Sequence, residues 1–207
     1  MPNTILQALD LTFEFPQQPV FSHFSAALPT GITYVVGGES CGKSTLLRLF
    51  AGDLIPQAGS IEVCGISSKD NLASYKQHVF WIDPRTSAHD HISPNDFFDL
   101  QRKVYPELDD ALLLDLIEGL SLGEHVSKAI YMLSAGSKRK VWLVAAFASG
   151  ALITMLDEPF AALDKASINF LLERLECVAH NTNRAWVIAD YEVPGNLTTA
   201  FTIDLDL

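Results

Sequence analysis

One eleven-residue stretch, Gly37-Gly-Glu-Ser-Cys-Gly-Lys-Ser-Thr-Leu-Leu47, constrains the fold more than any other part of the chain. It follows Ile32-Thr-Tyr-Val-Val36, a short run rich in β-branched residues that reads as a buried strand. It runs into Ser44–Ala51, where Leu46, Leu47 and Phe50 recur at helical spacing and Gly52 supplies a stop. Between strand and helix, Gly37, Gly42, Lys43 and Ser44 satisfy the pattern G-x-x-x-x-G-K-[ST]. The chemistry of such a turn is anion binding. Glycines let the backbone curl so that successive N–H groups point inward, and the helix beginning near Lys43 adds its positive end. Lys43 is placed to reach the outer phosphates of a nucleotide, and the Ser44 hydroxyl to ligate Mg²⁺.

The remaining pattern supplies a frame for that turn. Ile5–Phe15 alternates roughly and reads as a strand closed by Pro16-Gln-Gln-Pro19; Val20–Leu28 reads as a second, closed by Pro29-Thr-Gly31. The middle of the chain changes character. Ser93-Pro94 is a capping hydroxyl followed by proline at a first helical position, and Asp109–Leu120 reads as another helix. Helices without strands predict a helical lobe over about residues 84–135. Alternation then returns: Val141–Ala148 helix, Leu152–Leu156 strand, Ala166–Ala179 helix, Ala185–Ala189 strand, Phe201–Leu205 strand. Strands separated by helices imply a parallel sheet covered on both faces. The fold class expected is therefore α/β, with an antiparallel β part at the N-terminus and a small helical subdomain, in one domain spanning 1–207.

Leu152-Ile-Thr-Met-Leu-Asp-Glu-Pro159 is an apolar strand ending in two carboxylates. Asp157 at the tip is a candidate Mg²⁺ ligand, directly or through water. Glu158, one residue on, is the candidate base for an attacking water.

Composition excludes several classes. A net charge of −11 opposes a sequence-independent hold on nucleic acid. Cys41, Cys64 and Cys177 are too few and too scattered for a disulfide framework or metal cage, which suits a reducing compartment. Cys41 lies inside the loop, as an inert small residue or as a thiol among inward amides. His89 and His91 flank Asp90 without metal-ligand partners and read as a solvated loop. The start has no leader pattern, and no stretch approaches the roughly 20 apolar residues of a spanning helix. A membrane role would need other subunits to cross the bilayer.

Between the two motifs lies Leu133-Ser-Ala-Gly-Ser137 followed by a helix. With this third element the chain resembles the ATP-binding subunit of an ABC transporter over nearly its whole length. The resemblance rests on the ordered set: the phosphate loop, Leu-Ser-Ala-Gly in place of Leu-Ser-Gly-Gly, Asp157-Glu158, Ala162-Leu-Asp164 as the D-loop, and Thr12-Phe-Glu-Phe15-Pro in the place of the aromatic A-loop. It implies that ATP is bound by Phe15, stacked on adenine, and by Gly37, Gly38, Glu39, Ser40, Cys41, Gly42, Lys43, Ser44 and Thr45. It implies Lys43 and Glu158 as catalytic residues and Ser44 and Asp157 as Mg²⁺ ligands. It also implies a head-to-tail dimer in which Ser134, Ala135 and Gly136 face the γ-phosphate held by the opposite subunit. A lone Phe15 at alternating spacing has a core aromatic in a strand as its alternative reading.

Three positions depart from the family pattern. Ser40 stands where a glycine is usual. The glutamine expected after the strand Val79–Ile82 is missing, and its window holds Asp83, Pro84 and Arg85. Asp83 has the chemistry for Mg²⁺, Arg85 for phosphate. After Ala185–Ala189 the switch histidine is replaced by Tyr191, which donates one hydrogen bond but cannot turn cationic near neutral pH. The length, the Leu-Ser-Ala-Gly element and Tyr75-Lys-Gln…Trp81-Ile resemble the ATPase subunit of the haem exporter of cytochrome c maturation, whose Gln and His are missing here.

The function expected is an ATP-hydrolysing subunit that couples ATP-driven dimerisation to transport through separate permease subunits, with hydrolysis slowed by the two altered sensors. The partners implied are ATP, a like or unlike second ATPase subunit and the permeases, with no nucleic acid. The location implied is cytoplasmic, peripheral on the inner face of the membrane. Phe97 and Phe98 are either a docking surface for permease helices or the lobe's own core. The alternative function is a non-transport ABC-type ATPase or a degenerate, nucleotide-gated regulatory partner.

Overall fold

Two sheets divide the chain, and the phosphate loop sits where they meet. The computed structural model describes residues 4–180, 183–195 and 197–206. In chain order the elements are β1 (Thr4–Phe15), β2 (Gln18–Pro29), β3 (Gly31–Val36), α1 (Lys43–Phe50), β4 (Ala58–Val63), β5 (Ile66–Ser67), α2 (Leu72–Gln77), β6 (Val79–Phe80), α3 (Pro94–Val104), α4 (Asp110–Gly119), a 3₁₀ turn at Ile130–Met132, α5 (Ala135–Ala148), β7 (Ile153–Asp157), α6 (Lys165–Ala179), β8 (Ala185–Asp190) and β9 (Phe201–Asp204).

The first sheet is antiparallel in the order β2-β1-β4-β5. The second is parallel in the order β6-β7-β8-β3-β9. The α/β class with its antiparallel part is thus as the patterning implies. β3, β7 and β8 read as nearly unbroken apolar runs because the parallel sheet is buried on both faces. One face packs with α1 and the antiparallel sheet through Leu46, Leu47, Val35, Met155 and Val187. The other packs with α3–α6 through Trp186, Ile188, Leu156, Phe147 and Val144.

Helix starts follow the capping chemistry visible in the sequence. Ser93 and Asp96 form a reciprocal capping box at α3 with Pro94 in its first turn, and Asp109 and Asp164 cap α4 and α6. Four readings are revised, completed or decided. The expected strand Val79–Ile82 stops at Phe80, and the chain then turns through Asp83–Thr86. The segment 58–77, which had no assigned element, supplies β4, β5 and α2. Phe97 and Phe98 are almost fully buried and fill the lobe's core, Phe97 lying 4.9 Å from the Trp142 ring, so they are not a docking surface. The loop 89–91 is not simply solvated. His89 packs on Phe97, with ring centroids 4.9 Å apart, and Asp90 pairs with Lys138 at 2.8 Å.

Candidate ATP site

Parallel registration brings the chemistry to one edge of the second sheet. Val36 is opposite Asp190 on β8, and Ala189 is opposite Asp157 on β7, so three strands end together. The loops beyond their carboxyl ends carry Gly37–Gly42, Glu158 and Tyr191. This is the edge where open α/β sheets hold ligands.

The loop is built for close approach. Gly42 has φ 105°, and a Cβ there would stand 2.9 Å from Val20 Cγ1 and 3.1 Å from the Phe21 ring. Only glycine suits both the left-handed backbone and the contact. A Cβ on Gly37 would meet Cys41 Sγ at 2.5 Å, which places the thiol inside the curl. Glu39 and Ser40 form the exposed crest. Gly38 N–H donates to Asp206 Oδ2 at 2.8 Å, a tether from the far end of the chain.

Lys43 is buried, and its ammonium donates to the carbonyls of Gly37 and Gly38, both at 2.6 Å. It also lies 4.5 Å from the centre of the Tyr191 ring, a cation–π contact. Below it, Ser44 Oγ donates to Asp157 Oδ2 at 2.6 Å. Asp157 Oδ1 is buried and has no hydrogen-bond partner among the described residues. Burial pushes the Asp157 carboxyl above its ordinary range, against the Ser44 hydrogen bond and together with the Glu158 charge. A buried carboxylate oxygen left without a donor, beside a hydroxyl, fits a hard divalent cation.

Glu158 adopts φ 45°, so the chain leaves the strand line sharply after Asp157, and Glu158 N–H donates to Ala189 O at 2.8 Å. Arg139 of α5 clamps this turn, donating to Asp157 O at 3.0 Å and to Glu158 O. Its burial pushes the guanidinium below its ordinary range, against the neighbouring Glu158 and Asp157 charges. Above these groups opens a cleft of about 420 Å³ lined by Phe15, Gln18, Val20, Glu39, Ser40, Gly42, Lys43, Ser44, Thr45, Arg85, Glu158 and Tyr191. Phe15 is half-buried, with its ring edge-on to Phe13 at 5.0 Å. The Tyr191 hydroxyl is pushed up by the Glu158 charge and keeps its proton.

Not every expected residue reaches the cleft. Asp83 is not among its walls; its Oδ1 accepts the Arg85 backbone N–H at 2.9 Å. Ser134 and Ala135 lie exposed away from the cleft of their own chain. Ser134 Oγ caps α5, accepting the Ser137 N–H at 3.1 Å. Gly136 packs on the D-loop, where a Cβ would lie 2.4 Å from Ala162 O. Sequence reasoning missed Arg139, Gln18, Val20 and the Asp206 tether. Only Arg139 had a local signal, as a cation in the helix that follows the Leu-Ser-Ala-Gly element.

A family model described as ABC transporter matches residues 22–161. The chain belongs to the ABC transporter family. Within it, the chain is 28% identical over 175 residues to the cytochrome c biogenesis ATP-binding export protein CcmA of Legionella pneumophila, covering 83% of this chain and 86% of that protein. The CcmA of Idiomarina loihiensis is 31% identical over 156 residues, with 75% and 71% covered. A solved ATP-binding subunit of an ABC transporter superimposes with a TM-score of 0.80 at 24% identity, covering 90% of this chain and 79% of that one, which shows the fold. The chain is thus an ABC-type ATP-binding subunit, and the family's general reaction is ATP hydrolysis. Among the described residues no helix is long and apolar enough to cross a membrane.

Proposed function

We propose that this chain drives transport through separate permease subunits by binding Mg²⁺-ATP in a head-to-tail dimer and hydrolysing it slowly. The observation that carries this reading is the half-buried Ser44–Asp157 pair beneath the loop, with one buried carboxylate oxygen unpartnered and Glu158 beside it. Ser44 and Asp157 would hold Mg²⁺, which when bound supplies charge neutralisation on the phosphates. Lys43 exchanges its two carbonyl partners for phosphate oxygens, and the loop amides take the β-phosphate. Glu158 orients the attacking water and accepts its proton. Phe15 lies against the base.

Tyr191 offers one neutral donor at the switch position, and Asp83 stands outside the cleft. Losing one positioned donor costs roughly 10²–10³ in rate, which is the basis for slow turnover. The exposed Ser134 and Ala135, with the half-buried Gly136, at the N-terminus of α5, suit a γ-phosphate presented by a second subunit, like or unlike. Likeness to ATP-binding export proteins supports coupling to permeases, which would hold the chain peripherally at the inner face of the membrane.

The test is phosphate release from the purified chain with Mg²⁺-ATP beside Glu158→Gln. Turnover abolished by that change supports the reading. ATP binding without turnover in either protein refutes the hydrolytic role and favours a regulatory, nucleotide-gated subunit.

A further inference from the structure

The cleft contains a cation that the ATP-site reading above does not use. Arg85 lines it together with Lys43, Ser44, Glu158 and Tyr191. Its loop leaves β6, which is paired with β7, the strand that carries Asp157. The loop backbone is held locally: Arg85 N–H donates to Asp83 Oδ1 at 2.9 Å, Thr86 N–H donates to Asp83 O at 3.0 Å, and Pro84 between them has a restricted φ. These bonds hold the backbone that carries the arginine.

The other cations here are occupied. Lys43 is bonded to two carbonyls and faces Tyr191, and Arg139 is bonded to the Asp157 and Glu158 carbonyls. Among the described residues the Arg85 guanidinium makes no hydrogen bond or ion pair, although Glu158 lines the same cleft. Its charge is nonetheless felt at both Asp157 and Arg139. Arg85 thus stands on the Asp157 side, while Phe15 and Val20 enter from the antiparallel sheet.

We infer that the Arg85 guanidinium binds the terminal phosphate of ATP from within the same chain, and so distinguishes ATP from ADP. The inference rests on the ATP reading above. A guanidinium presents a planar fork of donors that matches phosphate oxygens and stays charged. A glutamine amide in this window would ligate metal; an arginine cannot, so the loop senses the γ-phosphate directly. The loop would carry that signal to the helical lobe, because it is the connection between β6 and α3.

The test is equilibrium binding of the β,γ-imido analogue of ATP and of ADP, both with Mg²⁺, to the unchanged chain, Arg85→Ala, Arg85→Lys and Lys43→Ala. Charge-assisted hydrogen bonds predict that Arg85→Ala weakens the triphosphate analogue roughly 10- to 100-fold and ADP less than about 2-fold. Arg85→Lys should recover part of the loss. Equal losses for both nucleotides, or none for either, overturn the assignment of Arg85 while Lys43→Ala still abolishes binding. No nucleotide bound by the unchanged chain, or undiminished binding by Lys43→Ala, overturns the ATP-site reading itself and Arg85's role with it.

Discussion

Ser40→Gly isolates the cost of an unusual residue in the phosphate loop. Ser40 has φ 60°, in the left-handed region, and is exposed. Among the described residues its hydroxyl makes no hydrogen bond that would offset the strain. Holding an L-residue there costs roughly 1–2 kcal/mol. Replacing it with glycine removes that cost but adds about 0.5–1 kcal/mol of backbone entropy lost on folding. The difference is a net stabilisation of about 0.7 kcal/mol. For a chain of this size that is a rise in Tm of about 2 °C. The assay is thermal unfolding without nucleotide, with Ser40→Ala as companion. Alanine keeps the Cβ in the same conformation, so its Tm should stay within about 1 °C of the unchanged chain. A lower Tm for Ser40→Gly would refute the reasoning, and so would an equal rise for both variants, which would trace the strain to the Ser40 hydroxyl rather than to a Cβ at left-handed φ.

Three further outcomes are expected. Gly136→Ala drives a Cβ to 2.4 Å from Ala162 O, so urea unfolding of the isolated chain should show a loss of about 1–3 kcal/mol; unchanged stability would refute the close approach of signature and D-loop. Ser44→Ala strips Asp157 Oδ2 of its donor and should cost about 1–2 kcal/mol in the nucleotide-free chain, while removing the Mg²⁺ dependence of ATP binding measured by titration with and without a chelator. Asp164 is held below the ordinary carboxyl range by the Ser167 backbone N–H, Lys140 and the Ser167 hydroxyl. Its stabilisation is present above the unfolded pKa of about 3.9 and is lost as pH falls from there toward the depressed folded value. Lys140→Met should therefore move the midpoint of acid unfolding to higher pH; an unmoved midpoint would show that the Lys140–Asp164 pair contributes nothing.

What could be read from the chain was chemistry confined to a few neighbouring residues. The phosphate loop, the strand ending in Asp157-Glu158 and the capped start of α3 depend on hydrogen bonds and periodicities within about one turn or one strand, and such patterns survive in linear order. The segment 58–77 lacked that legibility. β4 and β5 are short, and β4 is defined by its pairing with β1, far earlier in the chain, as in Leu6 opposite Val63. Phe97 and Phe98 were ambiguous because apolar residues on a helix declare a buried face but not what buries it.

The sequence by itself therefore determined the ligand class, the α/β alternation and the residue types available at each loop. Tertiary structure alone decided how those residues meet. Ser44 and Asp157 are 113 positions apart, and only the parallel registration of β3, β8 and β7 brings them to 2.6 Å. The same registration sets Tyr191 over Lys43 and lets Arg139 clamp the turn at Glu158. Of Asp83 and Arg85, in the window of the missing glutamine, the folded loop turns Asp83 onto its own backbone and leaves Arg85 at the cleft. The physical reason is range: propensity and spacing act along the chain, whereas the charge, burial and hydrogen bonding that tune a site are properties of groups packed across it.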